Sequence, residues 1–328
     1  MFTLRFDMRA PAFGAPAPDL YATALKMCEH AESHGAFAAI VSEHHAMPDG
    51  YLPAPMLLAT AIAARTTTLP VMTAALILPL HDPVRLAEEM VVLDVISGGR
   101  ASHVLAVGYV ESEFEHLGVD FRNRGRAVDG DLGLLLAART GEPFEHDGRL
   151  IHVTPAPLTA GGPPVAWGGG SAPAARRAGR FGLDFFAQGG GAELAEVYRQ
   201  AAVAAGHEPG TCFVPPADAT TTLFVAQDVE RAWEDLGPHL LHDATAYAAL
   251  NPGDTTTASI SVATSIDELR AEERSHRIVG VDAAADMAAS GEILQLQPLV
   301  GGLEPEVAWR YLRNVTDRVL PALRAAGG

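Results

Sequence analysis

The residues best suited to chemistry are Ser42-Glu43-His44-His45, which directly follow the apolar run Ala36 to Val41. An imidazole has an ordinary pKa near roughly 6.5, so it can both give and take a proton around neutrality. Successive residues leaving an extended strand point to opposite faces, so His44 and His45 cannot both enter one site while the chain stays extended. The pair reads as a catalytic or ligand-adjacent histidine, as a structural hydrogen bond, or as metal ligands. The metal reading has least support, because no HExxH pattern or nearby cysteine accompanies the pair and adjacent strand residues rarely share one ion. No metal is expected.

A second candidate is Trp167-Gly168-Gly169-Gly170-Ser171-Ala172-Pro173, where a strand gives way to a helix through three consecutive glycines with Ser171 as the cap. Free N–H groups and the positive end of the helix dipole make such a start an anion site. The glycines are not spaced as GxGxxG and no P-loop lysine follows, which excludes the dinucleotide and nucleotide fingerprints. A plain glycine-rich connection is the alternative. Arg176 and Arg177, one turn further on, either assist a phosphate or face solvent. Thr73-Ala74-Ala75 places small side chains where a planar ligand can approach a strand backbone, although alanines also suit a tight interior.

Elements that would position these groups are legible as apolar runs alternating with helical periodicity, the signature of βα units and a parallel sheet. Strands are expected at Thr3 to Met8, Ala36 to Val41, Val71 to Leu78, Ala101 to Val107, Val165 to Trp167, Asp184 to Gln188, Thr220 to Val225 and Ile293 to Leu296. Asp82 with Pro83, and Ser265 with Glu268, announce helix starts. Eight strands in a chain of 328 residues predict one α/β domain over 1–328, a (β/α)8 TIM barrel with its site at the C-terminal ends of the strands. A doubly wound open sheet is the alternative. Thr140 to Thr154, a hairpin around Asp147-Gly148, and Asn251 to Thr264 fit no βα repeat. They are expected to be insertions that move and close over the site.

Composition narrows the partners. With 23 basic against 40 acidic residues the net charge is −17, which disfavours nucleic acids and anionic membranes. Two cysteines, Cys28 in an expected helix and Cys212, exclude a disulfide framework and suit a reducing compartment. The first residues carry charges and no apolar segment reaches membrane length, so a cytoplasmic protein is expected.

Taken in order, these fragments resemble the bacterial luciferase family over nearly the whole chain. The resemblance rests on Glu43-His44-His45, on His81-Asp82-Pro83-Val84-Arg85, and on Leu93-Asp94-Val95-Ile96-Ser97-Gly98-Gly99-Arg100. It continues through Gly108 with Glu111-Ser112-Glu113-Phe114, Arg124-Gly125-Arg126, Gly141-Glu142-Pro143, and Leu299-Val300-Gly301-Gly302-Leu303. It implies a luciferase-like flavin-dependent monooxygenase with His44 as its catalytic group. The cofactor would be reduced FMN or, in other branches, an 8-hydroxy-5-deazaflavin coenzyme. Ala74-Ala75 matches a non-prolyl cis peptide behind the flavin ring, Gly169, Gly170 and Ser171 match the phosphate site, and Met8, Ala106 and Gln188 join the cofactor-binding set. Close relatives use an arginine for the flavin phosphate where this chain has Val107. The implied partners are O2, a small organic substrate, a separate NAD(P)H-dependent flavin reductase and a second copy in a homodimer. Deazaflavin-dependent hydride transfer, and a non-catalytic flavin-binding subunit, are the rival functions.

Overall fold

Each of the eight apolar runs forms a strand in the computed structural model, which describes residues 1–216, 218–254 and 256–326. Thr255, inside the expected insertion Asn251 to Thr264, lies outside the described residues. The first strand closes early, at Phe2–Phe6, because Met8 takes a left-handed conformation at φ 61° that an extended strand cannot include.

By contacts the chain forms two compact units: Met1–Ile40 with Met47–Leu52 and Pro216–Gly328, and Val41–Ala46 with Pro53–Pro215. In the first unit Phe2–Phe6 pairs in parallel with Leu294–Leu296, which meets Thr222–Ala226, which pairs in turn with His276–Gly280. The last strand was not expected. It opens on His276-Arg277 and holds only Ile278 and Val279 as an apolar run, too short for periodicity to register. In the second unit Val71–Ile77, Ala101–Ala106, Val165–Gly168, Asp184–Phe186 and the two-residue strand Cys212–Phe213 form one parallel series. Their buried faces are nearly all apolar, as parallel strands covered on both sides require.

Helix starts follow the sequence signals. The Asp82 carboxylate accepts from the Arg85 N–H with Pro83 at the first position, and Ser265 accepts from the Glu268 N–H. The capping box closes one residue early, since the Glu268 carboxylate takes the N–H and hydroxyl of Thr264. Cys28 is buried on the helix Ala17–Ser33.

The two expected insertions are anchored. Strands Phe144–His146 and Arg149–Ile151 form the hairpin, turned through Asp147 and Gly148 at φ 49° and 69°. Ile151, Val153 and Phe144 pack it against Ala87, Val91 and Ala138. In Asn251 to Thr264 the Asp254 carboxylate gathers Thr256 and Thr257, and Ala258, Ile260, Ser261 and Ala263 are buried. Segments with buried apolar anchors do not behave as free lids, because opening them exposes that surface to water.

Candidate functional site

The strand Ala38–Val41 delivers Glu43, His44 and His45 into the second unit, and the three side chains divide as the alternation rule requires. His44, 6% exposed, turns to the short helix Glu111–Leu117, where its Nδ1 lies 2.8 Å from Oε1 of the fully buried Glu113. A carboxylate accepts, so Nδ1 carries the proton and Nε2 is the exchanging nitrogen. The Tyr109 hydroxyl stands 3.4 Å from Nε2, its ring edge-on to the imidazole at 5.7 Å. The same Glu113 oxygen accepts the His45 N–H at 2.7 Å, which locks the backbone of the pair. Glu113 Oε2 is buried with no hydrogen-bond partner among the described residues.

His45 belongs to a different network. Its Nε2 meets Glu43 Oε1 at 2.7 Å, His81 Nε2 meets the same oxygen at 2.8 Å, and the Ile77 N–H donates to Glu43 Oε2 at 2.7 Å. Burial alone would raise the Glu43 carboxyl, but these hydrogen bonds and the charge of His81 outweigh it and lower its pKa to about 2. His81 moves the opposite way: burial would depress it, and Glu43 raises it. His45 is thereby a structural ligand of Glu43, while His44 pairs with Glu113 through Nδ1 and faces the Tyr109 hydroxyl through Nε2.

Glu113 stands in the Glu111-Ser112-Glu113-Phe114 fragment of the resemblance but was given no role from sequence, and no local pattern could assign one, because its partner lies 69 residues away. Gly108 is what allows it. At φ 80° this glycine turns the chain after Ala101–Ala106, and a Cβ there would lie 2.6 Å from the Ile77 side chain. Arg124 braces the turn, donating to the Gly108 and Phe121 carbonyls and stacking on the Phe121 ring at 3.5 Å.

The peptide between Ala74 and Ala75 is cis, as the resemblance implied, and the pairing register to the next strand shifts between Ala74 and Leu76. Both alanines and Ala106 are half-buried, flanked by buried Thr73, Leu76 and Leu105, so small side chains face accessible space inside a packed series. Gly170 and Ser171 are exposed at the start of helix Ala172–Arg180, with the Ser171 hydroxyl capping the Ala174 N–H at 3.4 Å. Gly169 at φ 137° needs to be glycine, whereas a Cβ on Gly170 would meet nothing nearer than the Gly189 carbonyl at 3.6 Å. Gln188 is exposed two residues after Asp184–Phe186. A planar ring system bearing a phosphate fits this set: small half-open residues for the ring, and a helix start with accessible N–H groups for the anion.

One expected contributor is taken up by the scaffold. Arg177 is buried, bonded to Asp129 at 2.5 Å and the Gly125 carbonyl at 2.7 Å over the Trp167 ring, so it braces the helix rather than facing solvent or a phosphate. Met8 belongs to the first unit, where it is 1% exposed. Other fragments of the resemblance are scaffold. Asp94 takes the Thr159 N–H and hydroxyl, and Arg100 caps the carbonyls of Ala63, Thr66 and Leu69.

Comparison with known proteins places these features in context. The profile of the family described as luciferase-like monooxygenase matches residues 5–317. The oxygenase component of flavin-dependent trigonelline monooxygenase from Acinetobacter baylyi is 28% identical over 171 residues, 50% of this chain and 47% of that protein. The first curated relatives are matched over only 29 to 47% of their own length. Among solved structures, the monooxygenase RslO1 from Streptomyces bottropensis superposes with a TM-score of 0.78 at 20% identity, covering 98% of this chain and 99% of that one. The oxygenating constituent of 3,6-diketocamphane monooxygenase from Pseudomonas putida, solved with FMN, gives 0.69 at 21% identity over 98% of both chains. The coenzyme F420-dependent tetrahydromethanopterin reductase of Methanopyrus kandleri gives 0.67 at 15% identity, covering 98% of this chain and 99% of that one. At these identities the likeness establishes the fold, and it is the (β/α)8 luciferase-like class expected from the sequence.

Proposed function

This chain belongs to the luciferase-like monooxygenase family, and from that premise we propose that it is the oxygenase component of a two-component monooxygenase using reduced FMN and O2 on a small organic substrate. The observation that carries the reading is the His44–Glu113 pair: a buried imidazole whose carboxylate partner fixes Nδ1, so that proton exchange falls to Nε2 beside the Tyr109 hydroxyl. A bound flavin supplies the oxygen chemistry. The chain's own residues bind, orient and protonate. Ala74, Ala75 and Ala106 leave room for the ring, Gly170 and Ser171 offer N–H groups and a hydroxyl to the phosphate after the turn at Gly169, and Gln188 completes the cofactor set. His44 gives or takes a proton at Nε2, and Tyr109 stands beside that atom.

A separate NAD(P)H-dependent reductase would supply the reduced flavin, by analogy with the trigonelline relative, which is named as one component of its enzyme. Assembly as a homodimer of single-domain chains in the cytoplasm belongs to the same proposal. Among the described residues no helix is long and apolar enough to cross a membrane. Hydride transfer with a deazaflavin is a second reading, favoured by Val107 at the place of a phosphate-binding arginine and by the likeness to the F420-dependent reductase.

Anaerobic titration with reduced FMN and with the reduced deazaflavin, followed by admission of oxygen, tests the proposal. Saturable FMN binding with oxygen uptake is expected. Tighter deazaflavin binding without uptake transfers the case to the second reading, and tight flavin retention without turnover of any substrate indicates a binding subunit. Gly170→Val adds a check on the phosphate site, because a Cβ there meets nothing nearer than the Gly189 carbonyl at 3.6 Å and the residue is not in the left-handed region. It should weaken flavin binding about tenfold or more by obstructing the anion while the fold is kept. Undiminished affinity would place the phosphate elsewhere.

A further inference from the structure

On the first unit two histidines and an aspartate converge. His30 lies in the last turn of the helix Ala17–Ser33 and His34 follows its end, four residues later, so both imidazoles project from one side. Their ring centroids are 4.2 Å apart. Asp317 comes from the wide π-helical turn Val315–Val319 near the other end of the chain. One ligand atom from each of the three lies within 4.8 Å of the others.

The surroundings prepare these groups as ligands. The His34 Nδ1 lies 2.8 Å from the His30 carbonyl, which can only accept, so Nδ1 carries the proton and Nε2 presents its lone pair. Ser33, itself donating to that carbonyl at 2.7 Å, accepts from the same Nδ1 at 3.0 Å and fixes the ring. This is the outer-sphere restraint typical of metal-bound histidines. The Thr316 hydroxyl bridges His30 Nε2 at 3.1 Å and the Asp317 carboxylate at 2.8 Å, holding imidazole and carboxylate together. The carbonyl end of helix Ala17–Ser33 adds partial negative charge, which favours a cation.

We propose that His30, His34 and Asp317 form a site for a divalent transition metal of the zinc type, clamping the end of the first helix to the Val315–Val319 turn. Two imidazoles and one carboxylate select zinc, cobalt, nickel or copper over calcium or magnesium, which take oxygen ligands. Tetrahedral ligands at about 2.0–2.2 Å from zinc stand roughly 3.3 Å apart, within reach of small side-chain rotations from the present spread. The sequence alone offered no metal site, because the third ligand stands nearly a full chain length from the other two.

The test is titration of the metal-stripped full-length protein with Co2+, read by its visible absorption, and with Zn2+, read by calorimetry and thermal melting. One ion per chain and a higher melting temperature are expected. His34→Ala and Asp317→Asn should each weaken binding at least about tenfold, with melts of the metal-free variants confirming that they fold. His152→Ala, an exposed histidine on the second unit, should change nothing. Flavin affinity should be the same with and without the metal. Absence of saturable binding, or affinity that survives the double variant His34→Ala, Asp317→Asn, overturns the proposal.

Discussion

Around Glu43 and Glu113 in the second unit, histidine and backbone N–H donors meet the carboxylates at 2.7–2.8 Å, whereas the buried Arg9 guanidinium in the first unit touches its carboxylates only loosely. Arg9 is 1% exposed, and its Nε stands 3.5 Å from Asp7 and 3.7 Å from Asp49, with Nη1 3.7 Å from Asp243. Those two nitrogens and Asp243 Oδ1 make no hydrogen bond among the described residues. What holds the guanidinium is packing, since its centre lies 4.8 and 4.6 Å from the rings of Tyr51 and Tyr247. One cluster aims its protons along defined bonds. In the other, His276 and His242 make the close bonds to Asp243 and Asp49 at 2.8 and 2.9 Å while Arg9 neutralises charge diffusely, so Arg9 can matter for stability without directing a proton.

The largest effect should come from the aimed cluster. His44→Ala removes the exchanging nitrogen and should lower turnover about 10²- to 10⁴-fold at saturating reduced cofactor, while flavin affinity changes little and the fold persists with some loss of melting temperature, since Glu113 keeps only the His45 N–H. His45→Ala should instead cost stability, because it strips a donor from the buried Glu43. Single-turnover rates and melts on both variants separate the roles, and parental turnover in a folded His44→Ala protein would abolish the contrast between the two histidines.

Arg9→Met is the matching cut in the diffuse cluster. It keeps the volume between the two tyrosines but leaves Asp7, Asp49 and Asp243 without their shared cation, so a loss of about 3–5 kcal/mol is expected. Urea denaturation measures it. A change below about 1 kcal/mol would mean that other groups compensate those carboxylates, and the cluster would no longer rest on Arg9.

Much of this was legible in the sequence, and the limit is physical. Strand runs, the Asp82 and Ser265 caps and the Asp147-Gly148 turn are set by neighbours within a few residues. His44 stood out by type and by its place after a strand. Its Glu113 partner, the bond of His81 to Glu43, and the seat of Arg177 on Asp129 each depend on contacts between distant segments. The Arg9 cluster joins Asp7, Asp49, Asp243 and His276 from four parts of the first unit, and no periodicity announces such an assembly.

Acid should separate Glu43 from Asp7, because these two carboxyls move in opposite directions, whereas Asp49 and Asp243 are lowered as Glu43 is. Glu43 is depressed from 4.5 to about 2, so its contribution is present above pH 4.5 and fades as the pH falls through about 2. His103, buried and neutral, is lowered by that burial from 6.5 to about 3, so the unfolded chain takes up its proton first and stability falls below pH 6.5. Asp7 is raised from 3.8 to about 6, since burial outweighs the attraction of Arg9, and its contribution is lost as the pH rises through about 6. Asp7→Asn should therefore gain stability relative to the parent between pH 4 and 6.5, on the order of 2 kcal/mol across the window. Urea midpoints against pH for both proteins give the difference, and a flat difference would show that Asp7 ionises normally.

The smallest and sharpest cut is Glu113→Gln, which separates aim from charge within the His44 pair. An amide oxygen can still accept from His44 Nδ1 and from the His45 N–H, so geometry and fold should persist. What disappears is the negative charge that stabilises a proton arriving at Nε2, and the amide NH2 must occupy the position of Oε2, which has no partner among the described residues. If aim dominates, turnover should fall only about tenfold, well short of the loss in His44→Ala, because a charge-assisted hydrogen bond is roughly twice as strong as a neutral one. Flavin affinity should stay at the parental value, with the whole effect in kcat. A fall as large as that of His44→Ala, in a protein with unchanged melting temperature, would assign the essential part to the charge of Glu113 and make it a partner in proton transfer rather than a positioning residue.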